Sequence, residues 1–425
     1  MGERISVETE PLKIAMLSVH SCPVGELGTK DTGGMSVYIR ELARELGMRG
    51  HFVDAYTRFH DLRDSQIIEL GENTRLIHIK AGENGHMPKM DIYPHLSDFT
   101  FSLEEFRKRD GRDYDLVHSH YWLSGRVGRW VQRLWGVPHI MMFHTLGEVK
   151  KAIGVGDDEP KLRLATEKGL VENCNRIIAA TEGEKRELIQ YYNAVPENIG
   201  VVPCGVNLEL FKPVDKKCAR QQLDLDLEEN IILYVGRIDP LKGIDRLLLA
   251  GAYLQNKKKF KLIVIGDNNN LQPELKRLTW MSRNLGIQDS VLFAGRVKQE
   301  DLPLYYSAAD VFVLPSYCES FGLVALESLA CGTPVVATKV GGIESIIHEG
   351  QNGYLVTGNV PRSIAKKIAV LLSNPRDLVN SPDAIRASVT EYCWANVADA
   401  LIEEYRTMLT GQVAHVACHT STCRC

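Results

Sequence analysis

The sequence predicts an α/β protein of two domains, each a parallel, doubly wound sheet, meeting across a cleft. Three observations predict it. A chain of 425 residues is too long for one hydrophobic core and suits two. Short apolar runs rich in β-branched residues alternate with helical segments along most of the length, the pattern of a parallel sheet covered on both faces. Near Phe211-Lys-Pro213 the chain turns polar, and a second alternating series begins.

Each element follows from local pattern. The run Leu12 to Val19 leads into a loop holding Gly25, Gly28 and the phrase Asp31-Thr-Gly-Gly-Met-Ser-Val-Tyr38. A helical segment follows, with apolar positions at Val37, Leu42 and Leu46, and ends near Gly50. Gly33 and Gly34 let a phosphate or sugar approach that helix N-terminus, and ligands of such sheets gather at the carboxyl ends of strands. Further strands are expected at Phe52 to Thr57, Arg75 to Ala81, Asp115 to Ser119, His139 to Thr145, Arg176 to Thr181 and Ile199 to Pro203, with helices at Leu123 to Trp135 and Pro160 to Glu172. The second series places strands at Ile231 to Val235, Lys261 to Gly266, Val291 to Gly295, Val311 to Pro315, Pro334 to Thr338 and Gly353 to Val356. Two Rossmann-like domains, residues 1–208 and 209–393, account for most of the chain. A last helix is expected over 394–410 and a disordered tail over 411–425, where apolar periodicity is weak.

Composition narrows the function. Hydrophobic content of 44% and charged content of 24% are those of an ordinary globular protein. A formal net charge of -4 argues against a nucleic-acid partner. No apolar stretch approaches the ~20 residues that span a bilayer, and the opening MGERISVETE is charged rather than signal-like. A cytoplasmic location without a transmembrane segment is expected. Cys22, Cys174, Cys204, Cys218, Cys318, Cys331 and Cys393 are scattered singly and read as reduced thiols. The tail from His415 to Cys425 clusters Cys and His, a pattern open to metal or redox chemistry but read first as a disordered end.

The richest stretch is Glu319-Ser-Phe-Gly-Leu-Val-Ala-Leu-Glu327-Ser-Leu-Ala-Cys-Gly-Thr-Pro-Val-Val-Ala337, which follows the strand ending in Pro315-Ser316. The first turn of a helix opened by Gly322 points the N–H groups of Gly322, Leu323 and Val324 at whatever lies before it, and a diphosphate suits them. Glu319 precedes the helix and Glu327 lies about a turn and a half into it at ~1.5 Å per residue. Carboxylates repel phosphate and accept hydrogen bonds from hydroxyls, so this pair flanking a diphosphate suits a nucleotide sugar. In the second domain's first βα loop, Gly236-Arg-Ile-Asp-Pro-Leu-Lys-Gly243, Arg237 offers a planar fork and Lys242 a mobile charge, together able to neutralise a departing diphosphate. No Asp-X-Asp cluster lies near this candidate nucleotide site, so no metal or other cofactor is expected beyond the donor substrate.

The phrase ESFGLVALE, with its flanking Pro-Ser, Ala-Cys-Gly-Thr-Pro and Gly341-Gly342, resembles the paired-glutamate signature of the retaining GT-B glycosyltransferases of family 4, and Arg237 and Lys242 match that family's basic pair. The resemblance implies the GT-B architecture, an N-terminal acceptor-binding domain, a C-terminal nucleotide-sugar-binding domain and a last helix that crosses back onto the first domain. It points to a UDP-sugar donor, glucose or N-acetylglucosamine, and to front-face transfer in which the leaving phosphate assists the acceptor hydroxyl, so that catalysis rests on positioning and charge. More narrowly, DTGGMSVYI, HSHYWLSG and FHTLGEVK resemble the D-inositol 3-phosphate glycosyltransferases and, more loosely, the sucrose-phosphate synthases.

That resemblance implies roles residue by residue. Arg237, Lys242, Glu319 and His144 form the catalytic group, His144 orienting the transferred sugar rather than acting as a base. Gly33, Gly34, Gly322, Leu323, Val324 and Glu327 would bind the donor. Lys89, Tyr121, Thr145 and Arg163 supply two cations and two hydroxyls for an acceptor phosphate. Ser36 stands where those enzymes usually carry Asn, which leaves inositol phosphate as the favoured acceptor, fructose 6-phosphate as the second, and a lipid or polysaccharide as further alternatives. Helix residues Arg126, Arg129 and Arg133 with Trp130 and Trp135 could form a face for a lipid acceptor, but the negative net charge and the short stretch favour a solvated arginine face around ordinary core residues. From other classes, a nucleotide-sugar epimerase shares the two-domain plan and a non-catalytic sensor could share the cleft. Assembly is left open, a homodimer included.

Overall fold

The computed structural model of the protein describes residues 10–420 except 29–30, 62, 84, 155–158, 256–257, 268–272 and 374–380, with side chains described as far as residue 410. The described strands form two sheets. The first contains β1 (Lys13–Leu17), β2 (Phe52–Arg58), β3 (Ile67–Gly71), β4 (Thr74–Ile79), β5 (Leu116–His120), β6 (His139–Met142), β7 (Arg176–Ala179) and β8 (Ile199–Val201). Its order is β3-β4-β2-β1-β5-β6-β7-β8. The second contains β9 (Asn230–Val235), β10 (Phe260–Ile265), β11 (Val291–Gly295), β12 (Val311–Leu314), β13 (Val335–Thr338) and β14 (Gly353–Val356), in the order β11-β10-β9-β12-β13-β14. Central strands such as β9 and β12 are apolar at nearly every position because helices bury both faces.

Every expected strand is present, and the second sheet is parallel throughout. One strand was not foreseen: β3 pairs antiparallel with β4 at the edge of the first sheet, where alternate side chains meet water and the apolar run is short. The last helix also differs from expectation. It runs Trp394–Thr420, past residue 410, because no proline interrupts this stretch, so the backbone expected as a disordered tail is helical as far as Thr420. The side chains of His415, Cys418 and His419, and the whole of Cys423 and Cys425, lie outside the described residues, and the metal or redox reading of that cluster with them.

This helix lies against the first sheet's elements. Arg49 Nε donates to Asp399 Oδ1 at 2.7 Å, Arg176 pairs with Glu404 at 2.5 Å, and the buried Tyr405 places its hydroxyl 2.8 Å from His118 Nδ1. No helix among the described residues is long and apolar enough to cross a membrane. The seven cysteines whose side chains are described are free thiols.

Candidate functional site

In a doubly wound sheet the loops at the point where strand order reverses diverge and leave a crevice. In the second sheet the reversal lies between β9 and β12, so residues 236–243 after β9 and 315–322 after β12 face each other. The Lys242 ammonium reaches across to Glu319 Oε2 at 2.6 Å, and Ser316 Oγ donates to the same oxygen at 3.3 Å. Arg237, from the same loop as Lys242, is partly exposed, with Nη1 3.6 Å from Asp239.

Two glycines fix this loop. Gly322 precedes helix Leu323–Ala330 with φ 96°, a left-handed conformation that frees the helix N-terminus without a Cβ penalty. Gly341, at φ 55°, packs so tightly under the loop that a Cβ there would lie 1.6 Å from the Glu319 carbonyl oxygen. Glu327, on the same helix, is buried and accepts a hydrogen bond from the Tyr306 hydroxyl at 2.8 Å. Burial pushes its carboxyl up to about 7.

The first sheet reverses between β1 and β5, which opens its crevice beside the loop that carries Gly33 and Gly34 and beside the start of helix Tyr121–Trp135. Helix Gly34–Met48 begins here, and a Cβ on Gly34 would stand 3.1 Å from Leu323 Cδ1. The N-termini of two helices, one from each sheet, therefore meet across the cleft, which gathers N–H groups and positive helix-end potential in one place. A second bridge closes the same seam: Ser320 Oγ donates to the His144 carbonyl. Tyr121 and His144, following β5 and β6, both hold positive φ angles, 73° and 60°. Bulky residues in this region store strain that is tolerated where side-chain aim matters.

The four expected acceptor residues come together from four separate segments. Arg163 Nη2 donates to Thr145 Oγ1 at 3.0 Å, and the Arg163 guanidinium and Lys89 ammonium lie 5.1 and 5.5 Å from the Tyr121 ring centroid. Burial lowers the Lys89 ammonium below its ordinary value, Asp31 opposes that shift, and the charge of Arg237 adds to it. Yet neither cation waits unpaired. Arg163 Nε and Nη1 donate to Glu167 Oε1 and Glu159 Oε2, both at 2.7 Å, and Lys89 is 3.3 Å from Asp31 Oδ1. A ligand phosphate would join a cluster whose cations already have carboxylate partners.

Sequence reasoning did not single out Tyr306, Ser316, Ser320, Asp31, Glu159, Glu167 or His120, all of which touch the expected residues. The contacts of Ser320 with His144 and of Asp31 with Lys89 span long sequence separations and leave no local signal, whereas Glu159 and Glu167, four residues either side of Arg163, were legible as i, i+4 partners. His120 was legible in principle, since His118-Ser-His120 at a strand end puts both histidines on one face. The arginine helix, weighed as a lipid face against a solvated face around core residues, is tied to the protein: Arg129 Nη1 donates to Gly169 O at 2.9 Å, Arg126 lies 4.8 Å over Trp130, and Trp135 Nε1 donates to Glu104 at 2.7 Å. Among the described residues, no group of three or more His, Cys, Asp or Glu side chains is placed to hold a metal ion.

Comparisons with known proteins cover both halves of the site. The family described as Glycosyltransferase Family 4 matches residues 32–210, and that described as Glycosyl transferases group 1 matches residues 215–388. The D-inositol 3-phosphate glycosyltransferase 2 of Catenulispora acidiphila is 40% identical over 408 residues, covering 94% of this chain and 96% of its own. The D-inositol 3-phosphate glycosyltransferase of Acidothermus cellulolyticus is 38% identical over 413 residues, covering 94% and 91%. Among solved structures, a sucrose-phosphate synthase from Thermosynechococcus elongatus superimposes with a TM-score of 0.87 at 32% identity, covering 94% of this chain and all of that one. Anabaena Alr3699/HepE in complex with UDP and glucose shares the fold, with a TM-score of 0.73 at 20% identity over 93% of this chain and 99% of its own.

Proposed function

From the premise that the chain belongs to the group 1 and family 4 glycosyltransferases and has their GT-B architecture, we propose that it moves glucose or N-acetylglucosamine from a UDP-sugar to a small phosphorylated acceptor with retention at the anomeric carbon. Inositol phosphate is the favoured acceptor. The observation that carries this reading is the convergence of Lys89, Tyr121, Thr145 and Arg163 beside His144, on the first-sheet side of the seam where the two helix N-termini meet. The names of the relatives point the same way: two are inositol phosphate glycosyltransferases, and sucrose-phosphate synthase is named for a phosphorylated product.

In this reading the donor diphosphate lies at the N-terminus of helix Leu323–Ala330 and is neutralised by Arg237 and Lys242, while Glu327 takes the ribose diol. Lys242 is shared between Glu319 and the diphosphate, so the negative charge that grows on the leaving phosphate meets a cation already in position. Glu319 and His144 hold the transferred sugar by its hydroxyls, and the acceptor hydroxyl attacks from the face the phosphate leaves. No protein nucleophile or resident metal takes part, and the work is done in the cytoplasm, where such donors and acceptors are made.

An acceptor screen with UDP-glucose and UDP-N-acetylglucosamine, read as UDP release, tests the proposal. Transfer to inositol phosphate, or to fructose 6-phosphate as the second reading, and a markedly slower reaction with free inositol or fructose support it. Equal rates with the dephosphorylated forms, or turnover with a lipid alone, would overturn the phosphate-acceptor reading. An altered sugar without transfer would point to an epimerase.

A further inference from the structure

The end of β5 carries a line of histidines that leads into the cleft. His118 and His120 share one face of the strand, with ring centroids 4.2 Å apart. His118 Nδ1 lies 2.8 Å from the Tyr405 hydroxyl on the last helix, and His120 Nδ1 lies 3.0 Å from His144 Nε2. Tyr38 packs edge-on against both His120 and His144, at 5.7 and 5.3 Å between centroids. Burial lowers His118 and His144 to about 3 and holds His120 well below its ordinary value, so at neutral pH all three rings are neutral and each carries a single N–H.

The contact between His120 Nδ1 and His144 Nε2 needs one hydrogen, and the two ways of supplying it are not equivalent. If His144 Nε2 donates, the hydrogen of His120 sits on its own Nε2, which is buried with no hydrogen-bond partner. If His120 Nδ1 donates, that buried Nε2 is a bare lone pair and the hydrogen of His144 sits on Nδ1. A buried N–H without an acceptor is the rarer and costlier defect. His144 is half-buried and its Nδ1 has no protein partner among the described residues, so an N–H there is free to meet solvent or a ligand.

We infer that His120 fixes His144 as the Nδ1–H tautomer, so that His144 presents the cleft with a hydrogen-bond donor rather than a lone pair. His120 is thus a positioning residue that acts through His144. The donor N–H seeks a sugar oxygen, and with Nδ1 already protonated His144 has no lone pair there to take a proton from the acceptor. The sugar as recipient rests on the function proposed above. The tautomer is a property of the ligand-free protein.

The test is long-range ¹H–¹⁵N NMR on the full chain labelled in histidine, with the His144 resonances assigned by their loss in His144→Gln. The expected spectrum of the unliganded wild-type protein has His144 Nδ1 protonated and Nε2 bare. A protonated Nε2 would overturn the inference without any variant of His120 having to fold. In His120→Phe, which removes the donor and keeps an aromatic ring, nothing holds Nε2 bare, the ring face can accept an N–H, and the Nε2–H form that a free imidazole favours should become populated. Turnover with the UDP-sugar should fall about tenfold, the loss of one hydrogen bond, while affinity for UDP, which lacks the sugar, stays unchanged. His120→Asn, whose amide nitrogen falls near the position of Nδ1, should restore both tautomer and turnover. An unchanged His144 tautomer in His120→Phe would also overturn the inference. Failure to find a phosphorylated acceptor would count against the proposed function and leave the tautomer result standing.

Discussion

Lys242 Nζ lies 2.6 Å from Glu319 Oε2, a pair formed between the loops that follow β9 and β12 at the point where the second sheet reverses its order. Both side chains are mostly shielded, at 19% and 13% exposure, so the contact is a held geometry and not a transient surface pairing. It presets the ammonium at the mouth of helix Leu323–Ala330, and a diphosphate arriving there meets a cation whose position is already fixed.

Arg237→Ala and Lys242→Ala should therefore each slow turnover about a hundredfold or more, the usual effect of losing one hydrogen-bonded charge at a developing anion (~2.7 to 4 kcal/mol). The two variants part company in stability. Arg237, at 39% exposure, should leave the thermal midpoint almost unmoved, whereas Lys242→Ala strands Glu319 and should lower it slightly. Activity should survive EDTA. Near-normal turnover in both variants would remove the pair from the chemistry.

If Glu327 takes the ribose diol as proposed, nucleotide binding depends on pH. The Glu327 carboxyl, pushed up to about 7 by burial, is ionised above that pH and protonated below it, and a ribose diol needs the ionised form to accept both hydrogen bonds. The affinity for UDP-glucose, which has no group of its own titrating near neutrality, should weaken as pH falls below 7, by at most about tenfold per unit, with proton release on binding. Calorimetry in buffers of different ionisation enthalpy measures both. Glu327→Gln should flatten the slope, and Glu327→Ala should weaken binding at every pH. A pH-independent affinity in the wild-type protein would take Glu327 out of the ribose site.

Lys89 is the clean probe of the acceptor phosphate. Lys89→Ala should raise KM for a phosphorylated acceptor by about tenfold or more, the scale of one charged hydrogen bond, and leave the KM for the UDP-sugar alone. Arg163→Ala should behave differently, because it removes a buried guanidinium and leaves Glu167 with the Gly147 N–H and the Tyr192 hydroxyl and Glu159 with Lys150, and it should lower the thermal midpoint by several degrees. An acceptor KM that does not respond to Lys89→Ala would place the phosphate elsewhere.

Two glycines should separate fold from function. Gly341→Ala puts a methyl 1.6 Å from the Glu319 carbonyl at a left-handed φ of 55°, so the loop carrying Glu319 must move, and both the melting temperature and turnover should drop. Gly33→Ala meets nothing within 4 Å at a φ of -166° open to any residue, so the melting temperature should hold. If the donor lies against Gly33, its KM should rise nonetheless. Thermal melts and steady-state kinetics on the two proteins decide it.

The two alternating series of strands and helices, the glycine loops and the ESFGLVALE phrase are legible in the residue order, because period, turn chemistry and motif spacing are local properties written in neighbouring residues. The sequence also picked out Lys89, Tyr121, Thr145 and Arg163 through a resemblance. Glu159 and Glu167 stand four residues either side of Arg163, a spacing at which opposite charges pair locally, whereas only the fold decided that Lys89 meets Asp31, that Lys242 leans on Glu319, and that Tyr405 on the last helix reaches His118. These pairings join segments far apart in the chain, and which charges meet is set by how helices pack on a sheet and where its strand order reverses. A short edge strand such as β3 and a helix that continues to Thr420 escaped for a related reason: each is weakly patterned locally.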